Sequence, residues 1–131
     1  MTADKFRAMA LRIPGAVEQA HMNHPDFRIE GKVFASLGSP GDGWGMVKLT
    51  PEEQGDFTEQ APAMFTPCNG AWGRQGCTYV RLASADRRLL KTALAAAARN
   101  VAAKANKKRQ PMDATGGGKS LRPKNRPEKR R

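Results

Sequence analysis

An α+β fold is the architecture this 131-residue chain encodes: an antiparallel β-sheet meander with an N-terminal helix, a middle helix and a long C-terminal helix. Three features carry that reading. Strand-like segments between Ala16 and Leu49 are joined by connections too short for crossover helices, so neighbouring strands must run antiparallel. Thr50-Pro51-Glu52-Glu53 supplies a capping Thr, Pro at the first helical position and Glu at the third, the signature of a helix start. Leu90, Ala93, Leu94, Ala97 and Val101 then recur along one face of a long C-terminal segment.

Each element follows in order. Phe6, Met9, Ala10 and Ile13 form one apolar stripe, which predicts a helix over Ala3–Ile13, capped by Thr2, favoured by Asp4 and stopped by Pro14-Gly15. Ala16–His21 reads as a first strand. Phe27–Glu30 and Lys32–Gly38 flank the Glu30-Gly31 turn and read as a hairpin, with His24-Pro25 placed in the turn before it. Gly38–Gly43 is a loop by composition, and Trp44–Leu49 resumes the strand pattern. The helix opened at Thr50 is expected to end near Gln60, ahead of Pro62. A Pro- and Gly-rich loop from Ala63 to Gly76 leads to a strand at Cys77–Leu82, and Ser84 with Asp86 opens the final helix, whose outer face carries Arg87, Arg88, Lys91 and Arg99.

Charge divides the chain in two. The sequence holds 23 Lys+Arg and 12 Asp+Glu, a formal net charge of +11. From Lys104 onward eleven cations face only Asp113 and Glu128, net +9, while residues 1–103 keep 12 basic and 10 acidic side chains, net +2. We therefore expect a domain over residues 1–105 and a basic tail over 106–131. The tail has three prolines, three successive glycines and no aromatic residue, so burial cannot offset its ordering entropy and disorder is expected there.

Several chemistries are disfavoured by residue type and spacing. No run of about 18 apolar residues exists, and the first residues lack the apolar stretch of a secretory signal. A cytoplasmic location is expected, consistent with only two cysteines. Gly116-Gly117-Gly118-Lys119-Ser120 ends like a phosphate loop, but Asp113 stands where that motif needs glycine, and a linker is the better reading. His21, His24, Cys68 and Cys77 are the soft ligands available, and their spacing matches no zinc pattern. Nothing in the sequence places a cysteine beside a histidine, so no catalytic residue, metal or cofactor is assigned and enzymatic activity is not expected.

Nucleic acid is the expected partner, with DNA ahead of RNA, no membrane and a monomeric chain. Flexible cations track phosphates and release condensed counterions, and Lys107, Lys108, Arg109, Lys119, Arg122, Lys124, Arg126, Lys129, Arg130 and Arg131 are the tail residues assigned to that role. Arg28, Lys32, Lys48 and Arg74 lie at or beside expected turns and strands and are candidates for one positive face on the body. The alternative, slightly ahead residue by residue, is four separate solvated strand-edge charges. Trp72, in a glycine-rich loop, is read as a core plug ahead of a stacking platform. The alternative class is a protein- or small-ligand-binding module with a pocket near Trp72, His24 and Arg28.

His24-Pro25-Asp26-Phe27-Arg28-Ile29-Glu30-Gly31-Lys32-Val33-Phe34-Ala35 resembles the signature of the MmcQ/YjbR family. So do Leu11-Arg12-Ile13-Pro14-Gly15, Val47-Lys48-Leu49-Thr50-Pro51-Glu52-Glu53, the segment from Pro67 to Trp72-Gly73-Arg74, and the final amphipathic helix. The resemblance covers roughly residues 3–103 and leaves out the tail. It implies a fold similar to the frataxin/CyaY type, with paired hairpins described as a double-wing DNA-binding motif, so the body is expected to dock on duplex DNA while the tail neutralises phosphates. Arg28, Lys32, Lys48, Trp72 and Arg74 match recurring family positions. Frataxin-like iron binding, the other implication, needs an acidic ridge on the first helix, where Lys5, Arg7 and Arg12 here outnumber Asp4.

Overall fold

The computed structural model describes residues 1–109, with side chains described through Ala105. A six-stranded antiparallel sheet of order β1-β2-β3-β4-β6-β5 is formed by β1 (Val17–His21), β2 (His24–Ile29), β3 (Lys32–Leu37), β4 (Trp44–Lys48), β5 (Phe65–Pro67) and β6 (Cys77–Arg81). Helices α1 (Ala3–Leu11), α2 (Pro51–Gln60), α3 (Gly70–Arg74) and α4 (Arg87–Arg109) complete the fold, with a short 3-10 turn at Leu82–Ser84. The α+β architecture and its three main helices thus match the sequence reading.

Both β1–β2 and β2–β3 close through two-residue turns. Met22 and Asn23 hold φ of 50° and 66°, and Glu30 and Gly31 hold 53° and 81°. Two successive left-handed residues match the right-handed twist of the strands they join. His24 and Pro25 belong to strand β2, opposite His21 and Ala20, and not to the expected turn. Proline is tolerated in β2 because the ladder asks nothing of its missing N–H, and the turn falls instead on Asn23, which accepts a left-handed backbone.

The meander runs from β1 to β4 and then breaks. β6 inserts between β4 and β5, so the chain reaches the outer edge before folding back. β5 and α3 both lie in the stretch expected to be loop. Their signals are weak: β5 has three residues, one of them Pro67, and α3 contains two glycines. α1 ends at Leu11, two residues early, because Arg12 and Ile13 tighten into shorter-range hydrogen bonds ahead of Pro14. α4 continues to Arg109, beyond the expected boundary at 105, so the expected tail begins within its last turn. Residues 110–131 lie outside the described residues.

Strand alternation sends Phe27, Ile29, Ala35, Leu37, Val47 and Val80 to one face of the sheet. α4 covers that face with Leu90, Ala93, Leu94, Ala97 and Val101, and its alanines let the helix approach the strands closely. Phe6 of α1 packs against Gly45 and tilts onto Phe27 at 6.1 Å. Phe57 of α2 meets Phe65 at 5.1 Å, and the Gln54 amide of α2 donates to the carbonyls of Gly73 and Cys77 and to Thr78 Oγ1. α1, α2 and α4 therefore share one side of the sheet.

The capping box at α2 is formed as the sequence requires. Thr50 Oγ1 accepts from the Glu53 amide at 3.1 Å, and Glu53 Oε1 accepts from the Thr50 amide at 2.9 Å. Asn100 of α4 donates to the same Glu53 oxygen and to the Lys48 carbonyl, pinning α4, α2 and the end of β4 together. Burial pushes the Glu53 carboxyl up, but the bonds from Asn100 and Thr50 outweigh it and hold the group below its usual value. Replacing Thr50 by Ala should lower unfolding stability by about 1–2 kcal/mol, read as an earlier urea midpoint with unchanged slope. An unchanged midpoint would show that the cap contributes nothing.

Candidate functional site

The face of the sheet opposite α4 carries a different set of side chains. Positions two apart on a strand share a face, so β2 presents His24, Asp26 and Arg28 there, β4 presents Trp44, Met46 and Lys48, and β6 presents Cys77, Tyr79 and Arg81. Between them lies a cleft of about 730 Å³, bounded by the β1–β2 turn at one end and by α3 at the other. A second cleft of about 390 Å³ adjoins it, sharing Lys48, Trp72 and Cys77 and reaching Asn100, Val101 and Lys104 of α4.

Trp72 stands between the two clefts. It is 63% exposed, which corrects the core-plug reading. Next to it α3 lies close against the preceding chain: a methyl group on Gly73 would meet the Cys68 carbonyl oxygen at 1.7 Å. Lys48 Nζ lies 5.4 Å from the centre of the Trp72 ring, within cation–π range. A second such pair sits across the sheet, where Arg81 lies 4.6 Å from the Trp44 ring and Trp44 meets Tyr79 edge-on at 6.1 Å. At the opposite lip, Met22 is 87% exposed in its left-handed turn position.

Asp26 anchors the β2 side of the cleft. It is fully buried, and Arg28 grips it with two bonds of 2.8 Å and 3.0 Å while His21 Nδ1 lies 2.6 Å from its second oxygen. The Arg28 bonds hold the carboxyl below its ordinary value of 3.8, against the opposing effect of burial and with further help from His21. The same pairing raises Arg28. His24 packs its ring over Gly38, whose φ of 86° and lack of a side chain make the space.

At the cleft floor Cys68 Sγ donates to Cys77 Sγ at 3.0 Å. Hydrogen bonding to Cys77, with burial, holds the Cys68 thiol well above the usual range. The same bond, against burial and with help from the Lys48 ammonium, lowers Cys77. Among the described residues no group of three or more His, Cys, Asp or Glu side chains is placed to hold a metal ion. No helix among them is long and apolar enough to cross a membrane.

The candidates named from sequence are partly brought together. Arg28, Lys48, His24 and Trp72 line the large cleft. Lys32 stands opposite Ile29, on the α4 side of the sheet, and Arg74 is exposed on α3 outside either cleft. Lys107, Lys108 and Arg109 fall in the last turn of α4. Lys119, Arg122, Lys124, Arg126, Lys129, Arg130 and Arg131 lie outside the described residues. Sequence reasoning passed over Asp26, Trp44, Tyr79 and Arg81. The period-two spacing of His24, Asp26 and Arg28, and of Cys77, Tyr79 and Arg81, is the signal that locates them.

A carboxylate held low in the fold stabilises the folded state fully above the unfolded value and loses that contribution as pH falls through the folded one. Acidification below about pH 4 should therefore weaken the fold through Asp26. Asp26→Asn should lower stability at pH 7 by about 1–3 kcal/mol and flatten the acid limb of a urea-midpoint profile. An acid limb identical in the variant would remove Asp26 from this role.

The YjbR family model matches residues 11–98. A solved structure of Deinococcus radiodurans protein DR2400, which carries the family-model domain DUF419, is similar with a TM-score of 0.67 and 18% identity, covering 79% of this chain and 80% of that one. That likeness shows the shared fold. No curated protein matches the sequence. With a family match spanning all six strands of the sheet, the chain belongs to the YjbR family.

Proposed function

We propose that this YjbR-family protein binds nucleic acid on the open face of its sheet, stacking an unpaired base on Trp72 while cations hold the flanking phosphates. The observation that carries the reading is the position of Trp72, exposed between two clefts, with Lys48 over its ring and Lys104 in the adjoining cleft. Lys104 begins the basic segment, so phosphates beside a base stacked on Trp72 lie next to the root of the chain's densest positive charge. Base–aromatic stacking contributes about 1–3 kcal/mol per base and tolerates any sequence.

The form of the face favours unpaired strands over duplex. A cleft recessed into a sheet admits a splayed base, whereas the stacked bases of a duplex expose only edges and backbone. The cations differ in availability. Arg28 is committed to Asp26, while Lys48 and Arg81 rest on aromatic rings and retain donors for phosphate. One observation favours a second reading, a small-ligand module: the large cleft has the volume of a small-molecule site and is lined by Trp72, His24 and Arg28 together.

Fluorescence anisotropy with a labelled single strand of about ten nucleotides tests the proposal. Trp72→Ala should weaken binding by roughly 5- to 100-fold. If the full chain engages about five phosphates, log K should fall with log salt at a slope near −3.5, shallower in a chain ending at residue 109. A salt-insensitive affinity, or a Trp72→Ala variant that binds normally, would contradict it. Tail-independent capture of a small aromatic anion would select the second reading.

A further inference from the structure

Cys68 and Cys77 take no part in stacking or phosphate contact, yet they form the floor of the same cleft. The β5–β6 register pairs Pro67 with Thr78. One step further places Cys68 directly opposite Cys77, and the Cys68 amide donates to the Cys77 carbonyl at 2.9 Å. Directly opposed residues in an antiparallel pair bring their Cα atoms to about 4.5–5.5 Å, inside the span a disulfide bridges. Their sulfurs are already in contact at 3.0 Å, and both are free thiols. Both border the open cleft, Cys68 partly exposed and Cys77 buried with 7% of its surface accessible, so an oxidant as small as hydrogen peroxide must enter through the cleft.

We infer that Cys68 and Cys77 form a redox modification site, a dithiol that hydrogen peroxide converts into a cross-strand disulfide and that small thiols restore. The two sulfurs are unequal in a way that suits the chemistry. Cys68 keeps its proton and donates it to Cys77, whose thiolate is favoured by that bond and by Lys48. The Cys77 sulfur attacks one peroxide oxygen. The O–O bond breaks, and the departing hydroxide takes up a proton to leave as water, with Cys77 as a sulfenic acid. The Cys68 sulfur then attacks the Cys77 sulfur, the S–O bond breaks, and the released hydroxide takes the Cys68 proton as a second water. Two thiols lose two electrons and two protons, and the peroxide is reduced to two waters.

The disulfide closes a ring over residues 68–77 that contains all of α3 and Trp72. Oxidation ties the Trp72-bearing segment covalently to β6 and removes the hydrogen-bonded thiol pair beside Lys48. The site does not depend on the nucleic-acid reading, because its formation is read directly from the thiols.

The full-length chain is treated with hydrogen peroxide, unfolded in urea, alkylated with N-ethylmaleimide and weighed as an intact protein. The result expected is a monomer that has lost two hydrogens and takes no label, and that recovers two labels after dithiothreitol. Oxidation of the folded chain should run about tenfold faster than in urea, where the pairing is absent, and the oxidised form should melt roughly 5–10 °C higher. Cys68→Ser should give no intramolecular bridge and leave a Cys77 sulfenic acid that dimedone traps. Two labels after peroxide, a disulfide-linked dimer as the main product, or equal rates in folded and unfolded chains would each overturn the inference.

Discussion

Among the described residues the long helices cover the sheet on one side only, and the rest of the structure follows from that constraint. Strand alternation gives β2, β3, β4 and β6 an apolar set on one face, and α4 covers it with an alanine-rich face that sits close to β3 and β4. α1 and α2 add Phe6 and Phe57 to the same side. No comparable helix lies over the other face among the described residues. Side chains there are selected for what they do beside water, and they include three aromatic rings, two imidazoles, a thiol pair and several cations.

Electrostatics on the open face are local and paired. Asp26 is buried as a charge because Arg28 and His21 surround both its oxygens, which meets the requirement that a buried ion be fully hydrogen-bonded. Cys77 has Cys68 and Lys48, and Arg81 has the Trp44 ring. Such pairing fixes side-chain positions before any ligand arrives, which reduces the ordering cost of binding. Trp72 is the exception in kind: its ring has a cation on one side and solvent around it, so it retains surface to offer.

Much of the fold was legible because local signals agreed with the global pattern. The Thr50 box, the Glu30-Gly31 turn and the α4 stripe each name their element without tertiary help. β5 and α3 were not legible, because a three-residue strand containing Pro67 and a helix containing Gly70 and Gly73 exist only through contacts with β6 and Gln54. That omission hid the thiol pair, since Cys68 and Cys77 meet only once β5 is recognised as a strand. The burial of Trp72 was misjudged for the same reason: apolar character argues for the core, whereas α3, the element that holds the ring at the surface, was not legible. Arg28, His24 and Lys48 were named from the sequence, whereas their common cleft required the register of β2, β3 and β4.

The surface proposed to meet nucleic acid is the open face of the sheet, with Trp72 at its centre. Amide and indole NMR shifts of an isotopically labelled full-length chain, titrated with a short single-stranded oligonucleotide, locate that surface residue by residue. The predicted result is perturbation concentrated on the Trp72 and Trp44 indoles and on the amides of β4, β6 and α3, extending to the end of α4. Perturbation confined to residues 110–131, with the indoles unmoved, would contradict it and assign all contact to the basic segment.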